Sequence, residues 1–299
     1  MRKTPVVLFF IVMICALLGA CAKDPYKRIE LRETYFEAST DNQPYLKRAA
    51  IVLKPGRGTP FAGQIETIFF QSVVDTIRDK SDRLELITLQ DGGIPALSGP
   101  LSLAAEGARM QGYHYLLQAG LWGASPIKEK KGLWMFRKDR GYVNLVVALD
   151  VYDTFTGAKI VSEVTDETVR ISMDEYEALM AGVQSAIAEV DEAAADYGEA
   201  LGELAADRMA DGRWMASVIA VNGQGVMLAA GRTAGLKAGD RFSLYEGRRV
   251  LAGQNGERFI APGYKLGDIR IATVEETTAR ATLEEPADIQ TGDIALPAP

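Results

Sequence analysis

Reactive side chains are scarce in this chain of 299 residues, which has two cysteines, Cys15 and Cys21, and a single histidine, His114. One histidine on its own builds neither a catalytic triad nor a histidine-rich metal site. We therefore expect no catalytic residues, no enzymatic activity and no bound metal. His114 is interpreted as a histidine on the face of a sheet.

Basic side chains are also outnumbered. Lys and Arg total 33 against 40 Asp and Glu, which gives a formal net charge of −7. Non-specific binding to nucleic acid depends on a basic surface that attracts the phosphates. The composition therefore argues against a nucleic-acid partner.

The start of the chain lacks an apolar run long enough to cross a bilayer. Residues 6–17 are apolar, but a membrane-spanning helix needs roughly 20 such residues. Arg2 and Lys3 precede the run, and Gly19 and Ala20 follow it. A basic start, a short apolar middle and small residues before a cleavage site are typical of an export signal. We predict a signal peptide over residues 1–20 and a periplasmic body after it.

The run Leu18-Gly19-Ala20-Cys21 resembles the lipobox of bacterial lipoproteins. The resemblance implies cleavage before Cys21 and attachment of a diacylglyceryl group and an N-acyl chain, such as palmitate, to that residue. Several acyl chains anchor a protein firmly. Ala22 follows the cysteine, which in that family indicates the outer membrane. The implied protein is lipid-anchored on the periplasmic face of the outer membrane, with covalent lipid in place of a cofactor. The alternative is a signal-anchor helix with an incidental cysteine.

Disulfides are excluded by the same prediction. Cys15 would be discarded with the signal and Cys21 would carry lipid, so no thiol remains to form one. Loss of Arg2 and Lys3 leaves 40 acidic against 31 basic side chains, a net charge of −9. Stability must come from hydrophobic cores, and the remaining length allows two.

Residues 21–47 are polar and carry Pro25 and Pro44, which is typical of a tether. Apolar periodicity then predicts an α+β domain over residues 48–171, in the order strand, helix, strand, helix and three strands. Gly112 is placed to end the second helix in a left-handed conformation. We expect a sandwich with the helices on one side of the sheet.

Residues 172–211 are predicted to form one long acidic amphipathic helix. Ser172 and Glu175 match a capping box, and apolar residues follow at alternating four- and three-residue steps. Because the other faces are acidic, packing on the domain's own sheet is favoured over self-pairing. Gly182, Gly198 and Gly202 weaken a helix and allow a break.

Residues 212–299 show strand periodicity alone and predict a small closed β-barrel. Asn222-Gly223 suits a tight hairpin. Gly239-Asp240, Gly267-Asp268 and Gly292-Asp293 each precede an apolar strand and are predicted to form turns. Residues 247–263 are predicted to be a longer loop inserted into the barrel.

Residues 128–140 are basic in an otherwise acidic protein. An exposed apolar tip with a basic rim suits docking to anionic lipid, glycan strands or an acidic protein surface. The alternative is a strand whose apolar residues are buried. The candidate partner-binding residues are Lys128, Lys130, Lys131, Trp134, Phe136, Arg137, Lys138 and Arg140.

Two resemblances follow from these patterns. The α+β segment resembles the family of curli-secretion lipoproteins and the Tol N-terminal domain, through the runs Gly112-Tyr113-His114-Tyr115-Leu116-Leu117-Gln118-Ala119-Gly120 and Leu149-Asp150-Val151-Tyr152-Asp153. The C-terminal part is similar to the SH3-like domain of flagellar assembly protein T, through Gly231-Arg232-Thr233-Ala234-Gly235-Leu236-Lys237-Ala238-Gly239-Asp240 and Gly267-Asp268-Ile269-Arg270-Ile271.

The resemblances imply a non-enzymatic scaffold or assembly factor in an envelope protein complex, such as a flagellar ring. A curli-type secretion channel component and an activator of peptidoglycan synthesis are the alternatives, and self-association into a homo-oligomer is left open. If residues 128–140 bind the partner, their deletion should abolish its co-purification without unfolding the body.

Overall fold

A computed structural model describes residues 44–54, 62–89, 101–183, 186–223, 225–254, 257–261 and 263–298. The predicted signal peptide, Cys21 and the tether up to residue 43 lie outside these ranges. In the part that is described, none of the helices has the length and apolar composition needed to traverse a bilayer.

The N-terminal half is built around a five-stranded mixed sheet. Its strands are β1 (Lys47–Leu53), β2 (Leu84–Thr88), β3 (Tyr115–Lys131), β4 (Lys138–Asp153) and β5 (Lys159–Ile171). Their order is β2-β1-β3-β4-β5, with β1 parallel to both of its neighbours and β3, β4 and β5 antiparallel. The predicted α+β class is confirmed.

Helices cover both faces of this sheet. Helix α1 (Ala62–Lys80) packs its apolar stripe on the face that carries Ala49 and Ile51. Helix α2 (Leu101–Met110) packs on the opposite face, against Ala50 and Leu116. The expectation of helices on one side only was wrong, because the parallel strand β1 is apolar on both faces and both faces need cover.

The predicted long helix is two helices. The capping box is confirmed at the start of α3 (Met173–Met180), where the Glu175 backbone N–H donates to Ser172 Oγ at 3.2 Å. The chain then turns through Gly182, which has a φ of 73°, and α4 begins after the break (Ala188–Ala210). Glycine adopts that left-handed angle without steric cost, so the helix ends there.

The glycines inside α4 have a different role from the one at the break. A Cβ on Gly198 would lie 2.6 Å from the Phe69 carbonyl oxygen, and one on Gly202 would lie 2.8 Å from Thr76 Cβ. Both neighbours belong to α1, so the two helices approach closely where side chains are missing. Helix α4 thus packs closely on α1 and shares one core with the sheet, whereas the prediction named the sheet as its packing surface.

The C-terminal half is a closed six-stranded barrel. Its strands are β6 (Ala216–Asn222), β7 (Gly225–Leu228), β8 (Arg241–Tyr245), β11 (Lys265–Val274), β12 (Ala279–Leu283) and β13 (Ile294–Pro297). Around the barrel their order is β11-β12-β7-β6-β13-β8. The predicted loop over residues 247–263 contains a small hairpin of its own, β9 (Val250–Ala252) and β10 (Arg258–Ile260).

Two of the three predicted Gly-Asp turns match the structure. Gly239 and Gly292 have φ values of 97° and 94°, as turns require. Gly267 instead lies within β11, beside a shift of strand register, and Asp268 accepts a hydrogen bond from Ser243 on the neighbouring strand at 2.6 Å. A Gly-Asp pair suits a bulge as well as a turn, so the sequence pattern did not separate the two.

Candidate functional site

The hairpin of β3 and β4 extends past its neighbours in the sheet. These strands pair from Tyr115 and Asp153 out to Lys131 and Lys138. Strand β1 pairs with β3 only as far as Ala119, and β5 pairs with β4 only from Gly141 onward. Residues 128–140, which we call the arm, therefore form a two-stranded projection. Its strands continue for about 10 Å beyond the sheet at the usual rise per residue.

The arm ends in an exposed apolar tip. Residues Trp134–Phe136 form one 3-10 turn, closed by a hydrogen bond from the Phe136 N–H to the Leu133 carbonyl at 2.7 Å. Leu133, Met135 and Phe136 are 84%, 81% and 77% exposed, whereas the side chain of Trp134 is outside the described part. The alternative in which these apolar residues are buried in a strand does not apply to these three.

Positive charge is concentrated beside this tip. The arm carries six basic and two acidic side chains, a net charge of +4 in a chain whose total is −7. Its two carboxylates form ion pairs, Lys128 with Asp139 and Lys131 with Glu129, each at 2.9 Å. Within the described ranges, no carboxylate lies within ion-pair distance of the four other cations: Lys130, Arg137, Lys138 and Arg140.

The base of the arm is fixed by helix α3. A Cβ on Gly141 would lie 2.9 Å from Tyr176 Cβ and 3.0 Å from the Ser172 carbonyl oxygen. The start of α3 therefore packs directly on the backbone where the arm leaves the sheet. This contact mounts the arm on the folded core.

His114 lies elsewhere, at the junction of sheet and barrel. It directly precedes β3, its exposed fraction is 4%, and its Nδ1 accepts from the Arg48 backbone N–H at 3.2 Å. Its ring packs beside Phe155 and Trp214 at centroid distances of 5.5 and 5.8 Å. Burial, assisted by the charge of Lys47, lowers the pKa of His114 to about 3. The ring is thus a neutral packing group, without the near-neutral pKa that suits a general base.

The same junction joins the two halves of the body. Trp214 Nε1 donates to the Leu46 carbonyl at 3.1 Å, and its ring lies 4.8 Å from that of Tyr45. Lys47 Nζ donates to the Met209 and Ala210 carbonyls at 2.9 Å, where α4 ends, and burial lowers the pKa of Lys47 to about 8. Sequence reasoning missed this junction, and the isolated aromatic Trp214 was its one visible signal.

Two clefts near the junction have cationic walls. The larger, of about 540 Å³, is lined by Lys47 and Trp214. The smaller, of about 210 Å³, is lined by Arg248 and Arg258, which pair with Asp293 at 3.1 Å and Glu106 at 2.9 Å. Across the described ranges, no cluster of three or more His, Cys, Asp or Glu could hold a metal ion. The arm, with its exposed apolar tip and its net positive charge, is the candidate site.

Comparison with known proteins adds a family for the barrel. The sequence model of the family described as "Flagellar assembly protein T, C-terminal domain" matches residues 223–297. This confirms the predicted similarity of the C-terminal part to that family. The match covers less than half of the chain. No curated protein matches the sequence.

Two solved structures are similar to about half of this chain. A PelC dodecamer from Paraburkholderia phytofirmans is 17% identical, with 52% of this chain and 83% of that chain covered and a TM-score of 0.30. A minor lipoprotein from Acinetobacter baumannii is 9% identical, with 52% and 94% covered and a TM-score of 0.27. Likeness at this level leaves function to be argued from the chain itself.

Proposed function

We propose that this protein is an outer-membrane lipoprotein, anchored through Cys21 on the periplasmic face, that acts as a non-enzymatic scaffold or assembly factor in an envelope complex. The observation that carries the proposal is the arm, which has an exposed apolar tip flanked by basic side chains and a base that packs on the start of helix α3. A surface of this kind suits binding rather than turnover.

Assembly of a flagellar ring is the form of this function that we favour. Its support is the barrel, which is similar to the C-terminal domain of flagellar assembly protein T over residues 223–297. The junction at Trp214 and Lys47 holds the barrel and the arm in one body. A component that contacts the envelope at the arm could thus present its barrel in a defined direction.

Shortening the arm tests the proposal. Residues 129–140 are replaced by Asn-Gly, which favours a tight turn, so that Lys128 connects to the residue it already faces, Gly141. Because the described core lies outside the arm, we expect an unchanged melting temperature. We also expect loss of the envelope proteins, flagellar ring components included, that co-purify with the cross-linked full chain from membranes, because without the arm the body no longer presents its barrel to them in a defined direction.

The matched control is Val250→Ser with Leu251→Ser, which removes an exposed apolar pair on the barrel side and should leave co-purification unchanged. Equal recovery of the same envelope proteins with the shortened and the natural arm would contradict the proposal.

A further inference from the structure

We propose that the arm docks on an anionic phospholipid surface, with Leu133, Met135 and Phe136 entering the interfacial region and the basic side chains contacting headgroup phosphates. This inference rests on the proposed function, because it names what the arm contacts once the chain is anchored. It adds a second, non-covalent membrane contact to the predicted lipid on Cys21.

The order of side chains along the arm supports a lipid surface. Arg137 directly follows the apolar tip, and Lys131 and Lys138 face each other one pair behind it. The two carboxylates lie farther back, at Glu129 and Asp139, and both are ion-paired. Positive charge is therefore nearest to the tip, and negative charge is set back and compensated. Each unpaired cation near an anionic leaflet contributes roughly 1 kcal/mol of attraction.

The depth of the apolar tip also fits. Interfacial segments bury apolar side chains about 5–10 Å into the boundary between headgroups and acyl chains. Arg137 and Lys138 are one and two residues behind the tip, or about 3–7 Å along the strand. When the tip enters that boundary, these cations lie at the level of the phosphates. Their long side chains can adjust to reach them.

A protein partner at the tip alone is less well supported. A stable protein interface buries about 800 Å² on each side. The tip offers three described apolar side chains, Leu133, Met135 and Phe136, at the end of two strands. A small apolar contact is sufficient for a protein that is already tethered to a membrane, because tethering raises its effective concentration at the surface.

The proposed contact would set the orientation of the body. The predicted lipid on Cys21 attaches one point of the chain to the membrane. A single point of attachment does not by itself set which way the body faces. The base of the arm is packed on α3 through Gly141, so a docked tip would turn the whole body with it.

Vesicle binding tests the inference without the lipid on Cys21. The protein is the chain from residue 22 onward, which we expect to fold without the leader because the described residues of both cores all follow Pro44. This chain has no cysteine, so Met135→Cys can carry a single environment-sensitive fluorophore. Val183→Cys, at a site that is 57% exposed on the body, is the matched control.

We expect flotation with vesicles of phosphatidylethanolamine and phosphatidylglycerol, weakened by salt, and much less with phosphatidylcholine. The fluorophore at position 135 should shift to the blue on binding, and the one at position 183 should not. Leu133→Asn, Met135→Asn and Phe136→Asn together should lower the bound fraction roughly tenfold or more, as should Arg137→Glu with Lys138→Glu.

Two results would overturn the inference. One is flotation no greater for the natural arm than for the triple Asn variant, with both proteins melting at the same temperature. The other is a natural chain that does not bind anionic vesicles but whose arm can be cross-linked to an envelope protein. That second result would leave the scaffold proposal intact, since the shortened arm would still lose its partner.

Discussion

Trp214→Ala is expected to lower the free energy of unfolding by about 3–5 kcal/mol. The side chain is 1% exposed, packs against Tyr45 and Phe242 at centroid distances of 4.8 and 5.6 Å, and donates a hydrogen bond to Leu46. Truncation leaves a cavity between barrel and sheet and an unsatisfied carbonyl. Urea unfolding followed by circular dichroism measures the change.

Trp122→Ala is the matched control for this prediction. Trp122 lies on β3 but is 48% exposed, with Lys54 Nζ over its ring at 5.6 Å. Its removal should cost no more than about 1 kcal/mol. If the two variants lose the same stability, Trp214 does not connect the two halves of the body as described.

Gly198→Ala is expected to destabilise the protein by about 1–3 kcal/mol, although alanine is the better helix former. The new methyl group would lie 2.6 Å from the Phe69 carbonyl oxygen, so α4 would have to move away from α1. The same substitution at Gly107 meets nothing within 4 Å and should stabilise helix α2 by up to about 1 kcal/mol.

The pair separates helix propensity from close packing, because the chemical change is identical at both positions. Opposite signs in the free energy of unfolding are predicted, again from urea titration. A stabilising effect at both positions would contradict the close contact between α1 and α4.

Local signals in the sequence predicted much of the fold because their causes are local. The capping box at Ser172 and the left-handed angle of Gly112, at 84°, depend on a few neighbouring atoms. Tertiary contacts decided what the pattern left open. Gly182 and Gly198 are both glycines within the apolar repeat of residues 172–211. Gly182 ends a helix, whereas Gly198 allows helix α1 to approach closely.

The candidate site was predictable in composition but not in geometry. Basic residues around a short apolar run fit both a buried strand and the exposed end of a hairpin. The apolar run of residues 133–136 is too short for its periodicity to distinguish the two. The outcome depends on where β1 and β5 stop pairing, at Ala119 and Gly141, which no feature of residues 128–140 encodes. The junction at Trp214 was equally invisible, because its partners are distant in sequence.

Lipid attachment at Cys21 is the central claim, since it places both the body and the arm at a membrane. The most direct measurement is metabolic labelling with radioactive palmitate, combined with fractionation of the envelope in high-salt buffer. The account predicts label and outer-membrane fractionation for the natural chain, and neither label nor outer-membrane fractionation for Cys21→Ser. An unlabelled natural chain, with Cys21→Ser found in the same outer-membrane fraction, would contradict it.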